Sequence, residues 1–175
     1  MSLILNISPQ EILGRWYKGM RILELAHHTT AADYSRRHRL FGTPVVIVST
    51  VVGTAVFATI SESPHPAIQI VVGLLSITAG VLSSLQTFLN YPELAEKHKV
   101  AAVKYAGLRR EIEQVMAVSS SEPDTIQEFL TSFRDRWNAL DEDSPSVSMP
   151  VYRKTTVLVE EAERTRMELK GPNQT

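Results

Sequence analysis

The sequence predicts an all-α membrane protein: a two-span transmembrane helical hairpin continued into a cytoplasmic helical stalk, plus C-terminal amphipathic helices. Three observations predict it. From Leu40 to Pro92 the only formal charge is Glu62. After Pro92, apolar residues recur in alternating steps of four and three. Basic residues stand beside both apolar stretches and are absent from the connector between them.

The first helix begins at Ser8-Pro9-Gln10-Glu11. Ser at the cap offers an oxygen to an otherwise unpaired backbone N–H, Pro in the first turn gives up an N–H that had no partner, and Glu three residues on reaches back to the cap. The preceding MSLILNI is too short an apolar run for a secretory signal and is expected in the mature chain. The helix is expected to reach about Gly42, with Thr43-Pro44 able to kink its entry into the membrane. Ile12, Trp16, Met20, Leu23 and Tyr34 form a loose apolar stripe along it, and Gly14 and Gly19 allow close approach.

Leu40 to Ser61 carries no charge, and at 1.5 Å per residue it measures roughly 33 Å, about the hydrocarbon thickness of a bilayer. A first span is therefore expected at about residues 41–61. A second, at about 67–89, covers the denser apolar part after the connector. Ser61-Glu62-Ser63-Pro64-His65-Pro66 is too short for anything but a tight antiparallel turn, which puts both chain ends on one side. Arg36, Arg37 and Arg39 precede the first span, and Lys97, Lys99 and Lys104 follow the second. The positive-inside rule then makes both termini cytoplasmic. A buried hairpin in a water-soluble protein would need more amphipathic chain around it than the sequence supplies.

Beyond Pro92, Leu94, His98, Ala101, Tyr105, Leu108, Ile112 and Val115 make a heptad seam of the coiled-coil kind, with His98, Tyr105 and Leu108 at its centre. After the capping loop SSSEPD, Ile126, Phe129, Leu130, Phe133, Trp137 and Leu140 define an amphipathic helix. DEDSPSVSMP reads as a linker. A last helix, about Val151 to Lys170, places Val151, Thr155, Leu158, Ala162, Thr165 and Leu169 on one face. The expected division is a two-transmembrane domain over 1–118 and a cytoplasmic helical extension over 119–175. Charge is +3 over residues 1–40 (six basic, three acidic), +1 over 93–118 (five, four) and −4 over 119–175 (seven, eleven), so base sits by the membrane and acid away from it.

Several chemistries are excluded. The chain has no Cys, which removes disulfides, thiolate metal sites and thiol nucleophiles. No phosphate-binding glycine loop, nucleophile elbow or metal-spaced carboxylate set occurs, so no enzyme activity, cofactor or metal is expected. A net charge of −1 gives no basis for a nucleic-acid partner. His27 and His28 are adjacent and point about 100° apart on a helix, so they cannot share a metal and read as solvated or interfacial. His98 occupies a seam position, where it is either a hydrogen-bonded structural residue or a pH- or state-dependent switch.

The second span carries the positive signal. Gly73, Ser76, Gly80, Ser83, Ser84 and Thr87 all fall within about 60° of Gln69 around the helix. In lipid this small, polar face serves either close helix packing, through Ser76-x-x-x-Gly80 and Gly80-x-x-x-Ser84, or the wall of a water-filled path between subunits. Gln69 favours water, because an unpartnered side-chain amide in hydrocarbon is costly. One hairpin cannot cover such a face, whereas a closed ring can turn every copy inward. A homo-oligomer is expected, with a tetramer favoured. Arg36, Arg37, Arg39, Lys97 and Lys99 would then ring the cytoplasmic mouth and draw anions weakly.

The segments YSRRHRLFGTPVVIVSTVVGTAVF, VVGLLSITAGVLSSLQTFLNY and AEKHKVAAVKYAGLRREIE, in that order around a short connector, resemble the SLATT domain family over about residues 10–118. The most specific part is Ala95, Glu96, His98, Ala102, Tyr105, Leu108 and Arg109. The resemblance implies a multi-pass protein of the bacterial inner (cytoplasmic) membrane, a pore-forming effector of a defence or conflict system that permeabilises the cell's own membrane when a cytoplasmic signal arrives. No fused synthase or SLOG domain is present, so the resemblance implies a nucleotide second messenger or a separate sensor protein as partner. The other reading of the same residues is a non-conducting membrane anchor or scaffold for a separate sensor or enzyme.

Overall fold

The structure is a computed structural model that describes residues 8–59, 66–118 and 123–170. The connector, the end of the expected first span at 60–61 and the loop at 119–122 lie outside the described residues. Every described element is a helix: α1 (Pro9–Thr59), α2 (Pro66–Leu89), α3 (Tyr91–Val118), α4 (Pro123–Asp143) and α5 (Met149–Lys170). The start of α1 is capped as its sequence predicts. Glu11 N–H donates to Ser8 Oγ and Ser8 N–H donates to Glu11 Oε2, both at 3.2 Å. Pro44 does not end α1, which continues through it to Thr59. The pyrrolidine ring removes a single backbone donor, a loss confined to one turn of a long helix.

α2 and α3 are separated by one residue. Asn90 has φ 40°, a left-handed conformation that Asn tolerates better than most residues because its short amide bonds locally. Its N–H still donates to Gln86 O, its carbonyl accepts from Leu94 N–H, and its side-chain amide donates to Glu93. The helix thus stops and restarts in a single step.

The chain forms two compact units, one made of the chain up to Ala31 with the chain from Glu96 onward, the other of Ala32–Ala95. In the first, the core unit, the predicted seam is buried: Ala101, Tyr105, Leu108 and Ile112 pack with Leu13 and Met20 of α1 and with Ile126, Leu130, Phe133 and Leu140 of α4. The seam of α3 is therefore shared between two helices. Along α1 the largest fully buried side chains are Leu13, Met20 and His27, spaced by sevens, with Ile12, Trp16 and Leu23 only half-buried beside them. The stripe read from sequence shares Met20 with this line and otherwise flanks it. Gly19 faces the Trp137 ring, where a Cβ would make an ordinary contact at 3.6 Å.

The face of α5 also differs from the expected one. Thr155 and Val159 are buried, whereas Leu158, Ala162, Thr165 and Leu169 are exposed. At the edge of this face the Lys18 ammonium of α1 lies 3.1 Å from Glu160 and 3.5 Å from Glu163, a solvent-exposed pairing that accompanies the orientation.

In the second, apolar unit, the more covered residues of α2 are Val72, Leu75, Ala79, Leu82, Gln86 and Leu89, and those of α1 include Gly42, Val45, Val48, Val52 and Ala55. Steps of three and four mark these as helix-packing faces. Tyr91 meets Tyr34 and Phe41, at centroid distances of 5.9 and 6.2 Å. Around these faces the large apolar side chains are open: Val46, Ile47, Val51, Ile70, Leu74, Ile77, Val81 and Phe88 are exposed. Two helices contain stretches long and apolar enough to cross a membrane, and only 6% of each stretch is buried. The core helix of a water-soluble protein would be mostly covered.

Candidate functional site

The stripe on α2 is the first candidate. Gln69, Gly73, Ser76, Gly80, Ser83, Ser84 and Thr87 are all exposed, and a Cβ placed on Gly73 or Gly80 would meet nothing within 4 Å. The face that packs within the unit lies roughly 120° away around the helix. The described residues therefore use none of the stripe for packing within the unit. Ser76, Ser84 and Thr87 donate to the carbonyls of Val72, Gly80 and Ser83 four residues back, at 2.8, 2.9 and 3.2 Å. This arrangement satisfies a hydroxyl where water is scarce. Gln69 has no side-chain hydrogen bond among the described residues. Sequence reasoning passed over Gln86, whose Nε2 approaches α1 so closely that a Cβ on Gly42 would lie 2.8 Å from it. The signal was available, since an amide in an apolar span normally has a task.

The expected mouth residues are exposed in both units, Arg36, Arg37 and Arg39 in the apolar one and Lys97 and Lys99 in the core one. Lys99 pairs with Glu96 at 3.8 Å, which offsets part of its charge. Arg36 and Arg39 flank an apolar groove of about 640 Å3 lined by Leu40, Pro44 and Ile47. Guanidinium heads beside a hydrocarbon wall suit the headgroup boundary of a bilayer.

In the core unit, the seam residue His98 meets a partner that sequence reasoning placed at the surface. His27 and His98 are each 2% exposed, and their Nδ1 atoms are 3.0 Å apart. One ring must donate and the other accept, so the contact needs at least one neutral imidazole. His27 also stacks on Tyr105 at 5.2 Å, and Tyr105 donates its hydroxyl to Asp141. Burial, then the facing His98, lowers the His27 pKa to about 4, against an opposing pull from Asp141. Burial lowers His98 as well. Burial first, and then the bond to Asp141, raises Tyr105 above the usual phenol range. His27 belongs to the sevenfold line Leu13, Met20, His27, which places it on the seam. His28, one residue on, is exposed.

The core unit also holds a cavity of about 530 Å3 between α1, α3 and α5, with Tyr17, Arg21, Glu24, Arg109 and Arg166 among its lining residues. Arg109 Nε donates to Glu24 at 2.8 Å and its Nη1 to Glu113 at 2.7 Å. Among the described residues no group of three or more His, Asp or Glu side chains is placed to hold a metal. A comparison with family models, curated proteins and solved structures finds no match.

Proposed function

We propose that the protein is a membrane-integral, self-associating effector whose assembled second apolar helices form a conduction path, opened by a cytoplasmic signal in a defence response. The observation that carries this reading is the stripe left over by folding. Seven residues that are small or polar lie together on a helix otherwise covered with exposed aliphatic side chains. In hydrocarbon, Gln69 needs a partner, and no side-chain hydrogen bond supplies one among the described residues. The apolar helices form an antiparallel hairpin, and copies close into a small ring, a tetramer by preference, with the stripes inward. A second reading has its own support. The hydroxyls of Ser76, Ser84 and Thr87 are satisfied within α2, so the stripe also suits dry packing between copies of a non-conducting anchor.

Ion flux from liposomes containing the purified full chain separates the two. Conduction is expected, and Gly80→Leu is expected to abolish both oligomer and flux, because its bulk separates helices that meet through small residues. An oligomer without flux under any added cytosolic extract supports the anchor. A Gly80→Leu protein that assembles like the parent removes the stripe from both readings.

Topology is tested separately. The chain has no native Cys, so single cysteines label without background. Cysteines at Arg15 and Arg153 are expected to react only from the cytoplasmic side and one at Pro64 only from outside, as the basic residues at the chain's two arms require. Labelling of position 64 from the cytoplasm would remove the two-span arrangement.

A further inference from the structure

The cavity of the core unit has an unbalanced charge. Of the cations around it, Lys18 is tied to Glu160 and Glu163, and Arg109 to Glu24 and Glu113. Arg21 and Arg166 line the cavity from α1 and α5 and make no ion pair among the described residues. The acid in the lining, Glu24, is already engaged by Arg109. Two guanidinium groups thus line a space in which no carboxylate pairs with them among the described residues. Guanidinium forks match phosphate oxygens in geometry and are less strongly hydrated than an ammonium.

Size and lining restrict the ligand further. A water in the liquid takes roughly 30 Å3, so a bare phosphate would leave most of the 530 Å3 unfilled. Cavities of about 300–1,000 Å3 are the usual seats of whole organic ligands. Leu25 stands one turn from Arg21 on α1, and Leu158 and Ala162 lead up to Arg166 on one face of α5, so apolar surface adjoins each arginine. The exposed position of Leu158, unexpected from sequence, has this consequence: it faces the cavity and not the helix core.

We propose that this cavity binds an organophosphate of nucleotide size, with Arg21 and Arg166 on its phosphate charges and the adjoining apolar surface against its organic body. The assignment deepens the partner named above and rests on that reading only for the ligand's role as a signal. Binding itself is independent of conduction, so it is read directly and not through flux.

The test is equilibrium dialysis of the full chain in detergent with ADP and with cyclic diadenylate, alongside adenosine, tripolyphosphate and a short-chain phosphatidic acid. Saturable one-to-one binding of at least one nucleotide is expected, with adenosine and tripolyphosphate each at least tenfold weaker. Arg21→Gln and Arg166→Gln are each expected to weaken it about tenfold or more, equivalent to roughly 1.4 kcal/mol. Arg166 is exposed and makes no ion pair among the described residues, so its variant is expected to keep the fold, which far-ultraviolet circular dichroism verifies. No saturable nucleotide binding up to about 1 mM, where binding free energy is only about −4 kcal/mol, would overturn the proposal. So would affinity unchanged in both variants, or tripolyphosphate binding as tightly as the nucleotide. Preferential binding of the phosphatidic acid would overturn it in favour of a lipid headgroup.

Discussion

Phe133→Ala is expected to lower the unfolding free energy of the core unit by about 3–5 kcal/mol, the range for removing a fully buried aromatic ring that its surroundings cannot refill. Phe133 is 0% exposed and sits where α1 and α4 meet: Trp16 stacks on it at 5.4 Å, Trp137 meets it edge-on at 6.4 Å and Phe129 lies 5.5 Å away. Three neighbouring rings are rigid bodies, so they cannot flow into the vacated space as aliphatic chains do. Much of a typical domain's 5–15 kcal/mol would be lost. The two tryptophans of the chain both touch this residue, which makes urea unfolding followed by tryptophan fluorescence a direct readout. Phe133→Leu keeps most of the volume and is expected to cost less than half as much. Phe88→Ala is the contrast, because Phe88 is 84% exposed in the apolar unit and should leave that transition within about 0.5 kcal/mol. A Phe133→Ala protein as stable as the parent would mean that the aromatic cluster does not hold α4 in place.

The aromatic helix shows what a linear pattern carries and what it omits. Ile126, Phe129, Leu130, Phe133, Trp137 and Leu140 repeat at helical spacing, so the helix and its apolar face were legible. That this face closes over α1 and α3 was not, because periodicity fixes which side of a helix is dry and never which partner dries it. The seam on α3 was read residue by residue for the same reason, and its sharing between two helices was missed. His27 was hidden differently. Adjacent histidines look like a surface pair, and only the line through Leu13 and Met20 shows that one of them lies on the inner side. The α5 face meets α1 through Val159 and an ion pair from Lys18 to Glu160 and Glu163, long-range contacts with no trace in local spacing. The apolar unit is the reverse case. The small, polar stripe was legible because Gly, Ser and Thr recur on one side of α2, and folding leaves it uncovered. Cavity charge was the least legible feature, since it depends on which arginines find carboxylates and which do not.

Acid is expected to destabilise the core unit well before ordinary carboxylates titrate. An unfolded chain protonates His27 near pH 6.5, whereas in the fold burial and His98 delay that step to about pH 4. Between those values the unfolded state holds the extra proton, so stability rises with pH and is lost as pH falls. The contribution is fully present above about pH 6.5, declines through the interval and is exhausted near pH 4, where both states are protonated. At 1.36 kcal/mol per pH unit the loss amounts to roughly 3 kcal/mol. The geometry gives the same sign, since two protonated imidazoles would set N–H against N–H at 3.0 Å with no acceptor between them. Asp141, His28 and His98 are the charges that act on the ring, and the first favours protonation while the other two oppose it. Asp143, held below the usual carboxylate range by its hydrogen bond from Lys104, adds an acid loss of its own at lower pH. His27→Gln separates these contributions, because it keeps a hydrogen-bonding side chain of similar reach and removes the titration. Urea unfolding at pH 7.5, 6, 5 and 4 is expected to show a falling midpoint in the parent and a much shallower fall in the variant. Equal pH dependence in the two proteins would mean that the buried histidine pair does not govern the response to acid.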